Sequence, residues 1–406
     1  MRITVHRGLR EIGGNIIEVS SETTRILIDA GVELDAELHP VDFQELIDNN
    51  TYSAIFISHY HADHIGLLEN ARNLPGVFMG ETAYRLYSKA REYMKKPTDF
   101  APSAFLENGN PVVIGDISVT PILADHSAVD AYSFVIENNG TTMLYSGDFR
   151  GNGRKSFQKY LESLPNKIDV LVCEGTTLSR SEKKNVSERE LETLMYNEIE
   201  ECSNQVFVML SAMNIDRVVT AYKASTKANR TMMQDTYLAC ISSECAQMHI
   251  PNPKTFNNVY VYTAGALTDE QHSIISRNYG RKFISRERTA SMQFTMCIRA
   301  SRPMLENIKR LDKIKPLTGS VLIYSMWEGY KQKPEMRNFL NETGKLGIKT
   351  VSVHTSGHAD ADNIRKLVER TNPENIIPVH TENEQWFEDN FGNTIKICTG
   401  TNLEVL

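Results

Sequence analysis

The chain has 406 residues, a length that exceeds one ordinary hydrophobic core and predicts two domains, or one domain with a large insertion. Its hydrophobic fraction of 41% and charged fraction of 23% are typical of a folded, soluble protein, and no apolar run reaches the length of a membrane helix. The net charge of −7 argues mildly against a nucleic-acid partner, although a local basic groove can exist in an acidic protein.

The N-terminal sequence and the cysteines both favour a cytoplasmic protein. The first residues lack the apolar segment of a signal peptide and are predicted to form a strand directly. The six cysteines include no pair with C-x-x-C spacing, so the sequence indicates free thiols rather than a zinc knuckle or a redox site.

The first third of the chain is rich in predicted strands. Three of them form a meander, and each is bounded by turn or polar residues: "RITVHR", "NIIEVS" and "TRILIDAG". The next strand, "SAIFIS", leads to His59, and "ADHIGLLENARN" has the apolar spacing of a helix. The stretch "ISHYHADHIG" therefore lies on a strand-to-helix loop, where functional sites are commonly built.

Later strands also deliver polar residues at their C-terminal ends. The strands are predicted in "DISVTPILADHS", "AYSFVIEN", "TTMLYSGDF", "IDVLVCEGTTLS", "IKTVSVHTSGHA" and "NIIPV". We expect one sheet edge to supply one site with these side chains. The residues that follow the strands in this way are His126, Asp148, Glu174, His354, His358 and His380.

Between these parts lies a predicted α/β unit. Its helices are predicted in "SERELETLMYNEIEECS", "IDRVVTAYKAST" and "MMQDTYLACISSECAQ", and its strands in "QVFVML", "NVYVYT" and "GSVLIYS". The segment "KPEMRNFLNETGKLG" is predicted to be the exit helix. The sequence thus predicts one domain formed by residues 1–178 and 345–406, with residues 179–344 inserted.

The spacing H-x-H-x-D-H at residues 59–64 suits metal binding. Alternate side chains of an extended segment face the same way, so His59 and His61 can reach one cation, while Asp63 and His64 can face a second. These ligands suit zinc, with manganese possible, and two such ions can activate a bridging hydroxide. The alternative is a solvated loop that happens to be rich in histidine.

The stretch "SHYHADHIG" resembles the metal-binding signature of the metallo-β-lactamase superfamily. Asp29 in "LIDAG" is similar to the first motif of that superfamily, and His126 and Asp148 are similar to the third and fourth. The resemblance implies that Asp63 and His64 bind one zinc ion, that Asp148 bridges two ions, and that Asp29 orients the loop through hydrogen bonds. The residues implied to bind the other zinc ion are His59, His61 and His126.

Three further motifs resemble motifs A, B and C of the β-CASP nucleases. They contain Glu174 in "CEGTT", His358 in "HTSGHA" and His380 in "PVHTE", and the unit at 179–344 is similar in position and size to the inserted domain of that group. The resemblance implies an αββα sandwich with an inserted α/β β-CASP domain, and it makes His380 a metal ligand.

The same resemblance implies roles in catalysis. Asp63 and His358 would act in the reaction, with His358 hydrogen-bonding a phosphate oxygen or protonating the leaving group, while Glu174 would orient a histidine. The loop "SGHAD" could instead be a helix N-terminus, which also binds phosphate well, so its first residues are candidate substrate contacts. The substrate contacts implied here are Ser356 and Gly357, and His354 is predicted to support the loop.

The segment "LSAMNIDRVV" resembles a helix start in the inserted domain of the ribonuclease J family, whose motif wording is most similar to this chain. Asn214 and Arg217 are therefore predicted to contact substrate; the alternative is a helix N-terminus with an arginine ion pair. Met213 departs from the serine of that family, so the resemblance does not extend to recognition of a 5′-monophosphate. The chain ends at Leu406, so the resemblance is to a ribonuclease J without its C-terminal domain.

The resemblance implies a ribonuclease that uses two zinc ions, with manganese possible, to hydrolyse single-stranded RNA in endo or 5′-exo fashion. His380 favours RNA, because several DNA-directed members have valine there. We also expect no membrane partner, and the chain could form a homodimer. Basic residues could line a groove, with a solvated face as the alternative: Arg180, Lys183, Lys184, Lys223, Lys227 and Arg230.

Four other functions are alternatives to this one. A DNA-directed β-CASP nuclease is the main alternative. A small-molecule hydrolase such as a lactamase or thioesterase gives no reason for the insertion or for motifs B and C. A flavodiiron-type oxidoreductase needs an acid in place of His61. A non-catalytic RNA-binding paralogue would be expected to have lost metal ligands.

Overall fold

The computed structural model describes residues 1–33, 42–180, 185–400 and 402–404 and divides the chain into two compact units. Unit 1 consists of Met1–Asn185 and Ser356–Leu406, and unit 2 of Val186–Thr355. The domain limits predicted from the sequence, 178/179 and 344/345, lie before the limits of the two units, 185/186 and 355/356. Residues 345–355 group with unit 2 because the strand Lys349–Ser352 pairs in parallel with the strand Val321–Tyr324.

Unit 1 contains two sheets flanked by helices. Its strands are β1 (Arg2–Arg7), β2 (Ile16–Ser20), β3 (Arg25–Ile28), β4 (Ala54–Phe56), β5 (Gly76–Gly80), β6 (Ala104–Leu106), β7 (Val112–Ile114), β8 (Ile117–Ala124), β9 (Ala131–Asn138), β10 (Thr141–Tyr145), β11 (Ile168–Glu174), β18 (Pro373–Val379) and β19 (Asn402–Glu404). Its helices are α1 (Phe43–Asn49), α2 (Ala62–Ile65), α3 (Glu81–Tyr93), α4 (Phe157–Glu162), α12 (Ala361–Thr371) and α13 (Glu384–Asn390).

The strand directions bring many C-terminal ends to one side of unit 1. The first sheet has the order β19-β1-β2-β3-β4-β5-β6, with an antiparallel meander from β1 to β3 and parallel pairing from β3 onward. The second sheet has the order β18-β11-β10-β9-β8-β7, in which β18, β11 and β10 are parallel and β10 to β7 alternate in direction.

A hydrophobic core lies between the two sheets of unit 1. Side chains such as Ile26 and Phe56 from the first sheet pack with Phe134 and Val170 from the second. The outer face of the second sheet is covered by helices, including α12, which buries Leu367. These layers confirm the predicted αββα sandwich. Among the described residues, no helix is long and apolar enough to cross a membrane.

Unit 2 is an α/β unit with a wholly parallel sheet. Its strands are β12 (Val206–Met209), β13 (Thr231–Asp235), β14 (Val259–Tyr262), β15 (Phe294–Ile298), β16 (Val321–Tyr324) and β17 (Lys349–Ser352), in the sheet order β14-β13-β15-β12-β16-β17. Its helices are α5 (Glu188–Glu201), α6 (Ile215–Lys227), α7 (Thr236–Glu244), α8 (Asp269–Tyr279), α9 (Arg286–Ala290), α10 (Arg302–Ile314) and α11 (Pro334–Lys345).

Two local predictions were wrong. The helix predicted from "MMQDTYLACISSECAQ" begins only at Thr236, because the first four residues belong to β13 and are buried between β14 and β15. A short apolar run does not distinguish a buried strand from a buried helix. The helix predicted from "ADHIGLLENARN" is the four-residue α2 followed by a 3₁₀ turn, Gly66–Asn70.

Candidate metal centre

The structure brings the predicted ligand residues together at the C-terminal ends of six strands of unit 1. The loops after β3, β4, β8, β10 and β18 and the last residue of β11 supply them. The strand directions explain this meeting, because β8, β10, β11 and β18 run the same way in one sheet, and β3 and β4 run the same way in the other. The residues at these six ends are Asp29, His59, His126, Asp148, Glu174 and His380.

Three histidine rings face one another across a short gap. His61 Nδ1 lies 3.1 Å from His59 Nε2 and 3.2 Å from His126 Nε2. His126 Nδ1 donates to the Gly357 carbonyl at 2.6 Å, which leaves the lone pair of the neutral ring on Nε2. Burial lowers the pKa of His61 to about 4 and holds the pKa values of His59 and His126 well below their ordinary value. Neutral imidazoles with converging lone pairs are in the state that binds metal.

Asp148 lies between two groups of ligand atoms. Its Oδ2 is 3.7 Å from His59 Nε2, 3.4 Å from His64 Nε2 and 3.8 Å from His126 Nε2. The residue is buried, and among the described residues neither of its carboxylate oxygens has a hydrogen-bond partner. A buried carboxylate without a hydrogen bond is costly, so this residue fits a bound cation.

A second ligand group consists of Asp63, His64 and His380. His380 Nε2 lies 3.2 Å from Asp63 Oδ2, and the ligand atoms of the three residues lie within 4.8 Å of one another. Burial opposes charge on both rings, but Asp148 and the neighbouring carboxylates outweigh it, so the pKa of His64 is well above its ordinary value and that of His380 is also raised. Nitrogen and carboxylate oxygen together suit a divalent cation such as zinc.

Asp29 holds His64 in place through hydrogen bonds. It takes the left-handed backbone conformation, with φ of 60°, directly after β3. Its carboxylate accepts from Ser58 N at 2.7 Å, Ser58 Oγ at 2.8 Å, Tyr145 Oη at 2.7 Å and His64 Nδ1 at 2.7 Å. The bond from His64 Nδ1 fixes the imidazole ring of His64 so that its Nε2 faces Asp148.

Thr176 is a site residue that the sequence analysis missed. Its Oγ1 lies 2.7 Å from Glu174 Oε2 and 2.7 Å from His380 Nδ1. The carboxylate only accepts, so the single hydroxyl proton goes to Glu174 and the hydroxyl oxygen accepts from His380 Nδ1–H. The lone pair of His380 is thereby placed on Nε2, which faces Asp63. The available signal was a hydroxyl residue two positions after the acid in "CEGTT".

Glu174 also contacts His358. His358 Nδ1 lies 3.3 Å from Glu174 Oε2 and 3.4 Å from Asp148 Oδ2. Glu174 is itself held by the Phe149 amide at 2.9 Å and by Thr176. The side chain of His358 is 20% exposed, whereas Glu174 is buried. This exposure makes His358 accessible to a bound molecule.

Ser356 and Gly357 shape the loop that carries His358. Ser356 Oγ accepts from His358 N at 3.1 Å, and the Gly357 carbonyl accepts from His126. A Cβ on Gly357 would lie 2.7 Å from Ser127 Oγ, so the close approach of the loop requires glycine. Their contact with substrate stays a prediction.

In unit 2, Asn214 and Arg217 have structural contacts. Asn214 caps α6 by accepting from Arg217 N at 3.0 Å. The Arg217 side chain is fully buried and donates to Ser325 Oγ at 2.6 Å, Thr355 O at 3.1 Å and Glu188 Oε1 at 3.0 Å. These contacts are those of the alternative, a helix N-terminus with an arginine ion pair, and contact of Asn214 and Arg217 with substrate stays a prediction.

Two other predicted residues have different surroundings from those expected. His354 belongs to unit 2, where its Nδ1 lies 3.2 Å from Arg217 Nη1. Arg230 was predicted to line a groove but is buried, and it donates to the carbonyls of Asn204 and Cys202. Lys183 and Lys184 lie outside the described residues.

Two family models match this chain. The model described as a beta-lactamase superfamily domain matches residues 24–224. The model described as a Zn-dependent metallo-hydrolase RNA specificity domain matches residues 345–397, which include His358 and His380. The matched segments contain all the residues of the two ligand groups.

Similar proteins cover nearly the whole chain. Ribonuclease J of Mycobacterium tuberculosis H37Rv is 23% identical over 418 residues, which cover 94% of this chain and 68% of the relative. Ribonuclease J of Helicobacter pylori 26695 is 24% identical over 423 residues, which cover 94% of this chain and 56% of the relative. A solved structure of a protein of unknown function from Enterococcus faecalis V583 has the same fold, with a TM-score of 0.79, 21% identity and 99% coverage of both chains.

The two family models cover the segments that carry the metal-binding residues gathered at the strand ends of unit 1, and the relatives cover 94% of the chain. The matched fold extends over unit 2 as well. The chain therefore belongs to the metallo-β-lactamase superfamily, as a metallo-hydrolase of its β-CASP nuclease group.

Proposed function

We propose that the protein is a ribonuclease that hydrolyses phosphodiester bonds of single-stranded RNA with two divalent metal ions, zinc first among them. The observation that carries this proposal is the position of Asp148, a buried carboxylate. Its oxygens face both of the ligand groups described above. The names of the relatives and the RNA specificity model support RNA as the substrate.

Each ion would have its own ligand group. His59, His61 and His126 would hold one ion, and their low pKa values favour the unprotonated form that binds metal. Asp148 would contribute to both ions. The residues that would hold the other ion are Asp63, His64 and His380.

When bound, a pair of such ions supplies an activated water and Lewis acidity that stabilises negative charge on a phosphodiester. His358 would donate to a phosphate oxygen or to the leaving oxygen, because its side chain is part-exposed beside Asp148. Glu174 would fix the orientation of His358 through Nδ1. Asp63 would hold its metal ion next to His380.

The test compares substrate classes with the zinc-loaded or manganese-loaded protein. The substrates are end-labelled single-stranded RNA with a monophosphate, triphosphate or hydroxyl 5′ end, single-stranded DNA of the same sequence, a lactam and a thioester. We expect cleavage of RNA, and the product ladder separates endo from exo action. Cleavage of DNA alone would replace RNA as the substrate, and hydrolysis of only the lactam or thioester would refute a nuclease.

A further inference from the structure

Unit 2 has a surface that the metal chemistry does not use, at the C-terminal edge of its sheet. β12 and β16 are neighbours there, but β12 leads through α6 toward β13 on one side, and β16 leads through α11 to β17 on the other. In open α/β sheets, ligands bind outside the C-terminal strand ends at such a switch point. The loop that follows β16 at this point contains residues 325–333.

This loop presents two aromatic rings to solvent. Trp327 is 41% exposed and Tyr330 is 38% exposed. Their ring centroids lie 5.3 Å apart at an interplanar angle of 85°. A 3₁₀ turn, Glu328–Gln332, sets the spacing between them. Exposed aromatic side chains in contact with each other offer ring faces and edges to a planar partner.

The rings are held by the surrounding structure. A Cβ on Gly329 would lie 2.3 Å from a ring carbon of Trp327, so the indole lies directly against this glycine. Tyr324 Oη donates to the Trp327 carbonyl at 3.0 Å. At the start of the loop, Arg217 donates to Ser325 O at 3.2 Å. A ring that is already held loses little conformational entropy when a ligand binds.

Positive charges lie beside the rings. Lys333 Nζ is 5.1 Å from the centroid of Tyr330, and Lys331 Nζ is 4.6 Å from the centroid of Tyr324. Lys331 also pairs with Glu328 at 2.8 Å, whereas Lys333 contacts the ring of the exposed Tyr330. Aromatic rings with adjacent cations are the features with which proteins bind single-stranded nucleic acids, because every base has a stacking face.

We propose that Trp327 and Tyr330 form a stacking platform for the bases of single-stranded RNA, with Lys333 beside the RNA backbone. This proposal rests on the proposed ribonuclease function and adds a substrate contact in unit 2. It assigns Arg217 the task of positioning the platform loop, which accounts for a buried arginine at the start of α6. Stacking of this kind tolerates any base, so it gives affinity without sequence preference.

The two tryptophans allow a direct test. Trp386, in α13 of unit 1, is replaced in Trp386→Phe, so that Trp327 is the remaining indole fluorophore. Metal-loaded full-length protein is mixed with oligouridylate in stopped flow, and fluorescence is read before turnover. We expect saturable quenching in Trp386→Phe and none of comparable size in Trp327→Phe. Absence of quenching in Trp386→Phe at RNA concentrations that saturate cleavage would refute the platform.

Binding of RNA gives the second measurement. Trp327→Ala should raise the Kd for oligouridylate about 5- to 150-fold, whereas Tyr93→Ala, an exposed aromatic of unit 1, should not. Hydrolysis of bis(p-nitrophenyl) phosphate should be unchanged in Trp327→Ala, which separates the platform from the metal centre. Equal Kd values for wild type and Trp327→Ala, with RNA still cleaved, would overturn the platform alone. Failure of wild type to bind or cut any RNA would overturn the proposed function and the platform with it.

A protein partner is the other outcome that matters. If Trp327→Ala leaves RNA binding intact but converts a dimer to a monomer in sedimentation, the surface is a contact between chains and the platform is refuted.

Discussion

At the scale of single residues, two residues of the metal centre have backbone conformations that are rare for residues other than glycine. Asp29 has φ of 60° and His380 has φ of 51°, and each directly follows a strand. The His380 amide donates to the Gly8 carbonyl at 2.7 Å, which stabilises this conformation. Strained backbone of this kind persists where surrounding contacts determine it, and it is concentrated at functional sites.

The tautomer of His380 should depend on Thr176. In Thr176→Val the hydroxyl that joins Glu174 to His380 Nδ1 is lost with little change in shape. We expect an affinity for the second metal ion about 10- to 100-fold lower, as is usual when a ligand loses its supporting hydrogen bond. The measurement is metal binding in competition with a chelator, together with the ¹⁵N signals of His380.

Thr176→Ser is the matched control, because it keeps the hydroxyl. It should restore both metal affinity and the Nδ1–H tautomer. If Thr176→Val and Thr176→Ser bind metal equally well, the hydroxyl does not position His380.

The two metal ions should leave at different pH values. The pKa values of His64 and His380 are raised in the metal-free site, so protons compete for these ligands as the pH falls. The three-histidine group remains unprotonated to lower pH, since the pKa of His61 is about 4. Metal content after dialysis at decreasing pH should therefore fall in two steps, and the ion at His64 and His380 should be lost first. Retention of that ion in a His61→Ala variant at acidic pH would contradict this order.

At the scale of elements, the loops after β3 and β4 fit together through backbone contacts. Val32 N donates to Ala62 O at 3.0 Å, and Ala30 N donates to His64 O at 2.7 Å. A Cβ on Gly31 would lie 1.7 Å from the Asp63 carbonyl oxygen, so only glycine fits beside α2. The "LIDAG" segment thus sets the position of both Asp63 and His64.

Gly31→Ala should therefore displace α2. We expect a loss of about 1–3 kcal/mol in the free energy of unfolding and lower metal content, because the Asp63 backbone must move. Gly392→Ala is the control, since a Cβ there meets no atom of the described residues within 4 Å. Chemical denaturation and metal analysis check both variants, and equal stability of Gly31→Ala and wild type would contradict the close fit.

The sequence predicted strands correctly where an alternating apolar pattern was followed by turn residues or by a polar residue of the site. The meander of β1, β2 and β3 follows from alternating strands and turn residues, and the strand ends that supply His126, Asp148 and Glu174 were each predicted. β13 and β15 were missed because fully buried parallel strands lack an alternating pattern. Thr176 and the burial of Arg217 depend on contacts between distant segments, which spacing along the chain does not encode.

At the scale of the whole molecule, the metal centre and the platform lie in different compact units. All the residues of the ligand groups belong to unit 1, whereas Trp327 and Tyr330 belong to unit 2. A ligand that binds only the folded state stabilises the unit that holds it. Metal binding should therefore affect the two units unequally.

Removal of metal should lower the Tm of unit 1. The expected change in stability is about 2.7 kcal/mol for free metal at about 100 times its Kd. Trp386 reports on unit 1 in Trp327→Phe, and Trp327 reports on unit 2 in Trp386→Phe. Chelation should shift the transition seen by Trp386 more than the one seen by Trp327. A larger shift in the Tm reported by Trp327 would mean that metal binding stabilises unit 2 more than unit 1, which contradicts the assignment of the metal centre to unit 1.

The most direct test of the account is cleavage of end-labelled single-stranded RNA by wild type and Asp148→Asn, purified in parallel and loaded with zinc. Asp148 faces both ligand groups, so its loss should abolish cleavage and lower the number of bound ions per chain. We expect metal-dependent cleavage by wild type and none by the variant. Cleavage by Asp148→Asn at the wild-type rate would contradict a two-metal ribonuclease built on this residue.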